Sequence, residues 1–291
     1  MNGWDLHKLM KDDVKISVIM GIFNPKDRDQ LFQAVMSIVE QTFQDWEMIL
    51  YDDGSEERYA EIIRAAATLD SRIHYLRGTD NRGLAYALNR CIEAARGKYI
   101  ARMDADDVSK PERLEILYEM LEAHPEYQWV GSNSELIDDN GTWGVHRVQE
   151  IPRSEDFLAY SPYIHPTVVF RKAVLVECNG YTVAPETRRC EDYDLFMRLH
   201  KAGYQGYNVQ QMLLQYREDQ DAYRRRKYRY CIQESRIRYR GFRNLGILQP
   251  RTLPYVFKPL VVGLLSPRMV RYIKRNIKKE YHVELPGSSQ T

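Results

Sequence analysis

The feature that most limits how this chain can fold is an alternation. Two runs rich in β-branched and aromatic residues, Lys15 to Gly21 and Glu47 to Asp52, bracket a segment from Asp29 to Gln41. Within that segment Leu31, Ala34, Val35, Ile38 and Val39 recur at helical spacing. The order then repeats: a helix near Glu56 to Leu69, a strand near Arg72 to Arg77, a helix near Leu84 to Ala95 stopped by Gly97, a strand near Lys98 to Met103 and a helix from Pro111 to Ala123. Each helical crossover returns the chain in the same direction, so the alternation predicts an α/β fold with a mostly parallel sheet covered on both faces. Ligands of such sheets lie beyond the carboxyl ends of the strands. After Gln128 to Ser132 the pattern shortens into mixed pieces through Pro166 to Phe170, which read as an antiparallel extension of the same sheet. Glu191 then opens an amphipathic helix carrying Leu195, Phe196 and Leu199.

Composition narrows the class. With 44% hydrophobic and 29% charged residues and only 16 Gly and 12 Pro in 291 residues, the chain is neither disordered nor low-complexity. Met1 to Asp13 is polar and lacks an apolar signal core, and no run of about 18 apolar residues occurs. Cys91, Cys178, Cys190 and Cys231 are widely spaced, which argues against a disulfide framework or a cysteine-rich zinc site. A cytoplasmic location is the expectation. The net charge of +1 conceals an asymmetry: from Arg217 to Lys279 there are 18 Lys and Arg against 4 Asp and Glu. An acidic body carries a basic tail.

The acidic clusters follow strands. Asp104, Asp106 and Asp107 fall within four residues, where close carboxylates repel by up to about 4 kcal/mol per pair at an effective dielectric of 20. A divalent cation reverses that penalty, and hard oxygen ligands suit Mg²⁺ or Mn²⁺ shared with a substrate's phosphates. The plainer reading has Asp107 or Ser109 capping the next helix. Asp52-Asp53-Gly54-Ser55 is likewise ordinary turn chemistry, with Gly54 at positive φ and Ser55 as a cap, or a carboxylate placed to accept the ring N–H of uracil. Asn81-Arg82-Gly83 is a turn or the polar lining of a nucleotide pocket. Glu191 and Asp192 stabilise a helix N-terminus, or supply a base that takes a proton from an acceptor hydroxyl.

Taken in order, these segments resemble the family 2 glycosyltransferases of the GT-A fold, over roughly Lys15 to Arg217. The motifs are Ile16-Ser17-Val18-Ile19-Met20, Ser37 to Phe43, Asp52 to Ser55, Asn81 to Ala85 with Leu88-Asn89, Gly97 to Ile100, the Asp104 cluster with Pro111 to Leu114, and Glu191 to Leu195 with Arg198-Leu199. The resemblance implies a nucleotide-binding half at 15–132 and an acceptor half at 133–217, between an N-terminal extension at 1–14 and a basic helical tail at 218–291. It implies a nucleotide-sugar donor, most often a UDP-sugar, whose base meets Asp53 and the strand end near Gly21. Asp52, Asn81, Arg82 and Asp104 would line the nucleotide, and Asp104 and Asp106 would hold Mn²⁺ or Mg²⁺. Asp192 would be the catalytic base of an inverting displacement, with Glu191 and His165 in support on the acceptor side. Many relatives carry a histidine after a Tyr-Arg pair near the end of this region; here Glu218 follows Tyr216-Arg217, leaving the third metal contact open. His200 reads as structural.

The tail interleaves arginines with Tyr223, Tyr228 and Tyr230, and Leu253 to Leu265 is apolar but broken by Pro254, Lys258 and Pro259. It suits a helix lying on an anionic membrane, within reach of a lipid-linked oligosaccharide acceptor of the O-antigen or exopolysaccharide kind. The alternative is a basic face packed on the acidic body. No nucleic-acid motif accompanies the tail, so no nucleic acid is expected. A sugar nucleotidyltransferase is the enzymatic rival, but Gly21-Ile22-Phe23-Asn24-Pro25 lacks the glycine-rich basic loop it requires. A non-catalytic membrane or nucleic-acid adaptor on the same fold is the other.

Overall fold

A computed structural model describes residues 14–218 and 227–276. The extension at 1–14, save its last residue, and the tail segments 219–226 and 277–291 lie outside the described residues, Tyr223 among them. The first half runs β1 (Ile16–Ile22), α1 (Arg28–Val39), β2 (Trp46–Asp52), α2 (Glu57–Ala67), β3 (Ile73–Arg77), α3 (Leu84–Ala94), β4 (Tyr99–Arg102), β5 (Val108–Ser109) and α4 (Arg113–Ala123). The second runs β6 (Tyr127–Asp138), β7 (Gly141–His146), β8 (Val169–Arg171), α5 (Lys172–Glu177), α6 (Glu191–Lys201) and β9 (Gln205–Arg217). Helices α7 (Tyr228–Asn244), α8 (Leu253–Gly263) and α9 (Pro267–Asn276) follow.

One sheet orders its strands β3-β2-β1-β4-β8-β6-β9-β5, with β7 paired to β6. β1 is parallel to β2 and β4, and β2 to β3. The extension is mixed where an antiparallel one was expected. β8 is antiparallel to β4 and β6, but β6 and β9 run parallel from Tyr127 and Gln205 to Ile137 and Arg217. The reason is the long connection through α5 and α6, which brings the chain back in its original direction.

Every second residue of β1, Ile16, Val18, Met20 and Ile22, packs with Leu31, Val35 and Ile38 of α1 and Leu114 and Leu117 of α4. Ile19 faces the other layer, with Leu88 and Cys91 of α3 and Leu195 and Phe196 of α6. Both faces of the strands are covered, as parallel sheets require. Ile237 and Phe242 of α7 and Val256 of α8 belong to this second layer, so part of the segment read as a tail shares the core of the catalytic half. Among the described residues, no helix is long and apolar enough to cross a membrane.

Candidate active site

The end of β2 is laced to its neighbours. Asp52 is fully buried. Its Oδ1 accepts the Ser55 N–H at 2.8 Å and its Oδ2 accepts the Tyr75 hydroxyl at 2.9 Å, so its carboxylate shapes the turn from within. Ser55 does not cap α2 as expected, because its hydroxyl accepts the Asn24 N–H at 2.9 Å and ties this turn to the one after β1. Gly54 has φ +73°, and a Cβ there would stand 2.6 Å from the backbone carbonyl carbon of Asp80. The loop after β3 is thereby pressed onto the turn. Asp53 completes the junction: its Oδ2 accepts the Gly83 N–H at 2.7 Å, and both oxygens share the Arg82 N–H at 3.1 Å. Burial pushes the Asp53 carboxyl up, while these N–H groups and the Arg188 charge pull it back. Gly21 acts through its missing side chain, since a Cβ would meet Ala87 Cβ at 2.9 Å and hold α3 away. Asn81 and Arg82 are exposed on the same loop, with the Arg82 guanidinium 3.8 Å over the Tyr86 ring.

The end of β4 carries an acidic cluster. Oxygen atoms of Asp104, Asp106 and Asp107 lie within 4.8 Å of one another. Asp107 is buried, and neither it nor Ser109 caps α4. Asp107 Oδ1 accepts the Arg217 N–H at 2.8 Å, which latches β9 to the cluster. Ser109 lies in β5, where its N–H is accepted by Ser37 Oγ at 3.0 Å; Gln41 Oε1 instead accepts the Leu114 N–H at 2.9 Å in the first turn of α4. Burial, then Asp104 and Asp106, push the Asp107 carboxyl well above the usual carboxylate range. Its Oδ2 is buried with no hydrogen-bond partner. Three convergent carboxylates with an orphaned buried oxygen fit a hard divalent cation. Asp107 thus joins the two aspartates expected here. Glu218, in the place where many relatives have histidine, is paired with Lys274 of α9.

Arg102, which sequence reasoning missed, connects the parts. It is 3% exposed and paired with Asp104; burial opposes its charge, but Asp104 more than restores it. The signal was available, since a lone arginine inside the apolar run Tyr99 to Met103 must find a partner. Arg113, also overlooked, is fully buried, donates to the Arg102 carbonyl at 2.8 Å, and is pushed down to about 10 chiefly by burial.

Helix α6 presents Glu191 and Asp192 in its first turn. Burial, then the neighbouring Glu191, push the Asp192 carboxyl up to about 6, opposed by its own helix N–H groups and by Arg102. Burial also raises Glu191. Asp194 anchors the helix, accepting from Thr182 Oγ1 at 2.7 Å, Arg198 Nε at 2.9 Å and Arg240 Nη2 at 2.7 Å. Tyr181 stands between the acidic groups, close enough for Arg102, Asp192, Glu191 and Asp104 all to act on its hydroxyl. Asn89 of α3 clamps it, accepting its N–H and donating to its carbonyl, both at 2.8 Å. His165 is buried, its Nε2 2.7 Å from the Tyr181 hydroxyl, and burial holds it neutral well below its ordinary value. It supports Tyr181 from beneath. His200 is structural: its Nε2 lies 2.9 Å from the Tyr163 hydroxyl, among Trp129 and Phe157.

Arg82, Gly83, Arg188 and Glu191 line one cleft of about 320 Å³. Asp53 holds the Arg82–Gly83 part of this lining through its hydrogen bonds to their N–H groups.

A family model described as "Glycosyl transferase family 2" matches residues 17–177. The Bacillus subtilis protein EpsE, described as a glycosyltransferase, is 35% identical over 273 residues, covering 93% of this chain and 97% of its own. The chain belongs to glycosyl transferase family 2. This glycosyltransferase is also 26% identical over 284 residues to the Escherichia coli UDP-Gal:alpha-D-GlcNAc-diphosphoundecaprenol beta-1,3-galactosyltransferase, covering 94% of this chain and all of that one. Among solved structures, Staphylococcus aureus TarS 1–349 in complex with UDP-GlcNAc superposes with TM-score 0.61 at 15% identity, over 91% of this chain and 77% of that one. The Pyrobaculum calidifontis mannosyltransferase PcManGT with GDP-Man and Mn²⁺ gives TM-score 0.58 at 17% identity, over 88% and 78%. The GT-A fold and a family 2 glycosyltransferase follow. The nucleotidyltransferase alternative falls with them.

Proposed function

We propose that this enzyme transfers a hexose, with inversion, from a UDP-sugar to a hydroxyl of a lipid-linked oligosaccharide during assembly of a bacterial surface polysaccharide of the lipopolysaccharide or exopolysaccharide kind. The reading rests on one observation: Arg102 lies within electrostatic reach of both Asp104 and Asp192, joining a metal-type carboxylate cluster to a carboxyl held near 6. Relatives support the substrates, one being named for a UDP-sugar donor and a diphosphoundecaprenol acceptor and another solved with UDP-GlcNAc.

Asp53 and the loop at Asn81 and Arg82 receive the uridine, with Asp53 accepting the base N–H beside its weakly held Arg82 bond. Gly21 lets α3 close on that pocket. Asp104 and Asp106, with Asp107 behind them, would hold Mn²⁺ or Mg²⁺. When bound, the ion supplies charge neutralisation for the leaving diphosphate. Asp192 takes the proton from the acceptor hydroxyl while its oxygen bonds to the anomeric carbon from the face opposite the diphosphate. The bond to the diphosphate breaks, and UDP leaves with that electron pair. Glu191 keeps Asp192 basic enough for the task, and His165 holds Tyr181 between them.

We place the enzyme on the cytoplasmic face of the membrane. Phe257 and Val261 of α8 and Leu264, which caps its C-terminus, are 53%, 63% and 76% exposed, beside the basic α9. Two assays test these readings. Purified enzyme with Mn²⁺ and a UDP-sugar panel should release UDP faster when a lipid-linked acceptor is added; no release with any donor refutes the activity. Sedimentation with vesicles containing phosphatidylglycerol should recover the protein and lose it on Leu264→Asp with Val261→Asp.

A further inference from the structure

Helix α9 contributes no buried residue, and its Met269 and Tyr272 are 51% and 61% exposed, so charge rather than apolar burial ties it to the body. Three cations make the tie. Arg271 and Arg275 face the Asp138 carboxylate, the former at 3.7 Å, and Lys274 is paired with Glu218. The Arg275 guanidinium also lies 4.2 Å from the centre of the Trp143 ring of β7. Burial opposes the charge of Asp138, but Arg275, the Asn140 N–H and Arg271 hold its carboxyl below the usual range. Both carboxylates stand at strand ends on the carboxyl rim of the sheet: Asp138 closes β6, and Glu218 follows Arg217, the last residue of the parallel strand β9. The Glu218 N–H donates to the Ile137 carbonyl at 2.9 Å, so the two ends are joined directly. Arg217 carries the contact onward. Its N–H donates to Asp107 Oδ1 at 2.8 Å and its Nε to the Asp106 carbonyl at 3.0 Å, so one residue fixes both a carboxylate and the adjacent backbone of the acidic cluster.

We infer that α9 is an ionic clamp for the metal site: Arg271, Lys274 and Arg275 fix the ends of β6 and β9, and Arg217 passes that order to Asp106 and Asp107. The inference rests on the reading of the Asp104 cluster as a metal site. The clustered carboxylates repel one another, so a scaffold that keeps them converged bears part of the ordering cost in advance and raises affinity for the ion. Arg217 is then a positioning residue, and α9 acts through it. A plain Coulomb effect has the opposite sign, because cations near a cation site weaken binding and their removal would tighten it. The direction of the change therefore separates scaffold from charge. Linkage also requires the ion to strengthen α9 docking by the same factor by which α9 strengthens ion binding.

The test is Mn²⁺ binding to the full chain by calorimetry, without lipid or nucleotide. Arg271→Gln, Lys274→Gln and Arg275→Gln made together should weaken Mn²⁺ about three- to tenfold, the range open to a few partly exposed ion pairs. Arg271→Lys with Arg275→Lys keeps the charges and should retain wild-type affinity. Trypsin cleavage after the exposed Arg268 should slow when Mn²⁺ is added to the wild type, but not in the glutamine variant. The clamp is overturned if the glutamine variant binds Mn²⁺ as tightly as the wild type or more tightly, if the lysine variant loses as much as the glutamine one, or if Mn²⁺ leaves wild-type cleavage unchanged. Failure of the metal reading looks different: the wild type itself would bind no Mn²⁺, and the clamp would fall with it.

Discussion

Replacing Asp192 with asparagine should make the protein more stable and catalytically dead, and pH separates this from ordinary damage. The Asp192 carboxyl stands at about 6 against an ordinary value of 3.8, raised by burial and by Glu191. The sign follows from linkage. Below about pH 3.8 both folded and unfolded chains carry the proton and the residue contributes nothing. Between there and pH 6 the unfolded chain releases it while the folded chain retains it, so stability falls as pH rises. Above pH 6 the full penalty is present, roughly 3 kcal/mol for about two pH units at 1.36 kcal/mol each. Asparagine carries no charge and escapes it. In a chain of 291 residues this corresponds to an increase in Tm of about 5 °C at pH 8 without metal, shrinking to about a degree near pH 4.5. Transfer should fall by about 10²–10⁴, the range for a lost general base, while UDP binding holds. In the wild type, kcat should rise about tenfold per pH unit up to about pH 6 and then level. Differential scanning fluorimetry at the two pH values and UDP release are the assays. An asparagine variant that melts no higher than the wild type at pH 8 refutes the argument that ionised Asp192 is strained by its surroundings.

Other perturbations address the rest of the rim. Asp106→Asn should abolish the stabilisation by Mn²⁺, which in the wild type reaches about 2.7 kcal/mol at one hundred times Kd; a variant that still gains Tm with Mn²⁺ removes Asp106 from the metal set. Gly54→Ala forces a side chain into positive φ against Asp80 and should lower stability by about 1–3 kcal/mol in urea unfolding, with weaker UDP binding. Wild-type affinity in that variant would show that the loop after β3 is not part of the nucleotide pocket. Arg102→Met strands Asp104 without its partner and should destabilise by about 3–5 kcal/mol in urea unfolding at neutral pH; Asp104→Asn made together with it should recover part of that loss, and no recovery would mean that packing, not charge, is what Arg102 supplies.

The first half was legible because both of its signals are local. Buried parallel strands read as continuous apolar runs, and the helices covering them show apolar residues at helical spacing, so β1 to α4 fall close to where Ile16, Leu31 and Leu88 suggest. Acidic residues after β2 and β4 marked the rim for the same reason. What was not legible depends on pairings between distant segments. The parallel partnership of β6 and β9 is decided by where α5 and α6 dock, which no short window records. The turn chemistry of Asp52 and Ser55 was visible, but that Asp52 looks inward depends on Tyr75, and that Ser55 is taken depends on Asn24. Asp107 resembled a helix cap because its partner, Arg217, lies 110 residues further on.

The charge asymmetry finds its explanation at the same junctions. Arg271 and Arg275 face Asp138, Lys274 meets Glu218 beside the metal-type cluster, and Arg240 reaches Asp194 at the base of α6. Each pair joins a tail helix to a strand end or helix that positions a site residue. Packing on the acidic body therefore does not exclude the proposed membrane contact, because the residues that hold the body are not the exposed apolar ones. Val256 and Pro259 of α8 face inward, whereas Phe257, Val261 and Leu264 face out. Basic residues that hold the body leave the outer apolar face exposed, and α7 brings Arg229 to the cleft lined by Arg82 and Arg188.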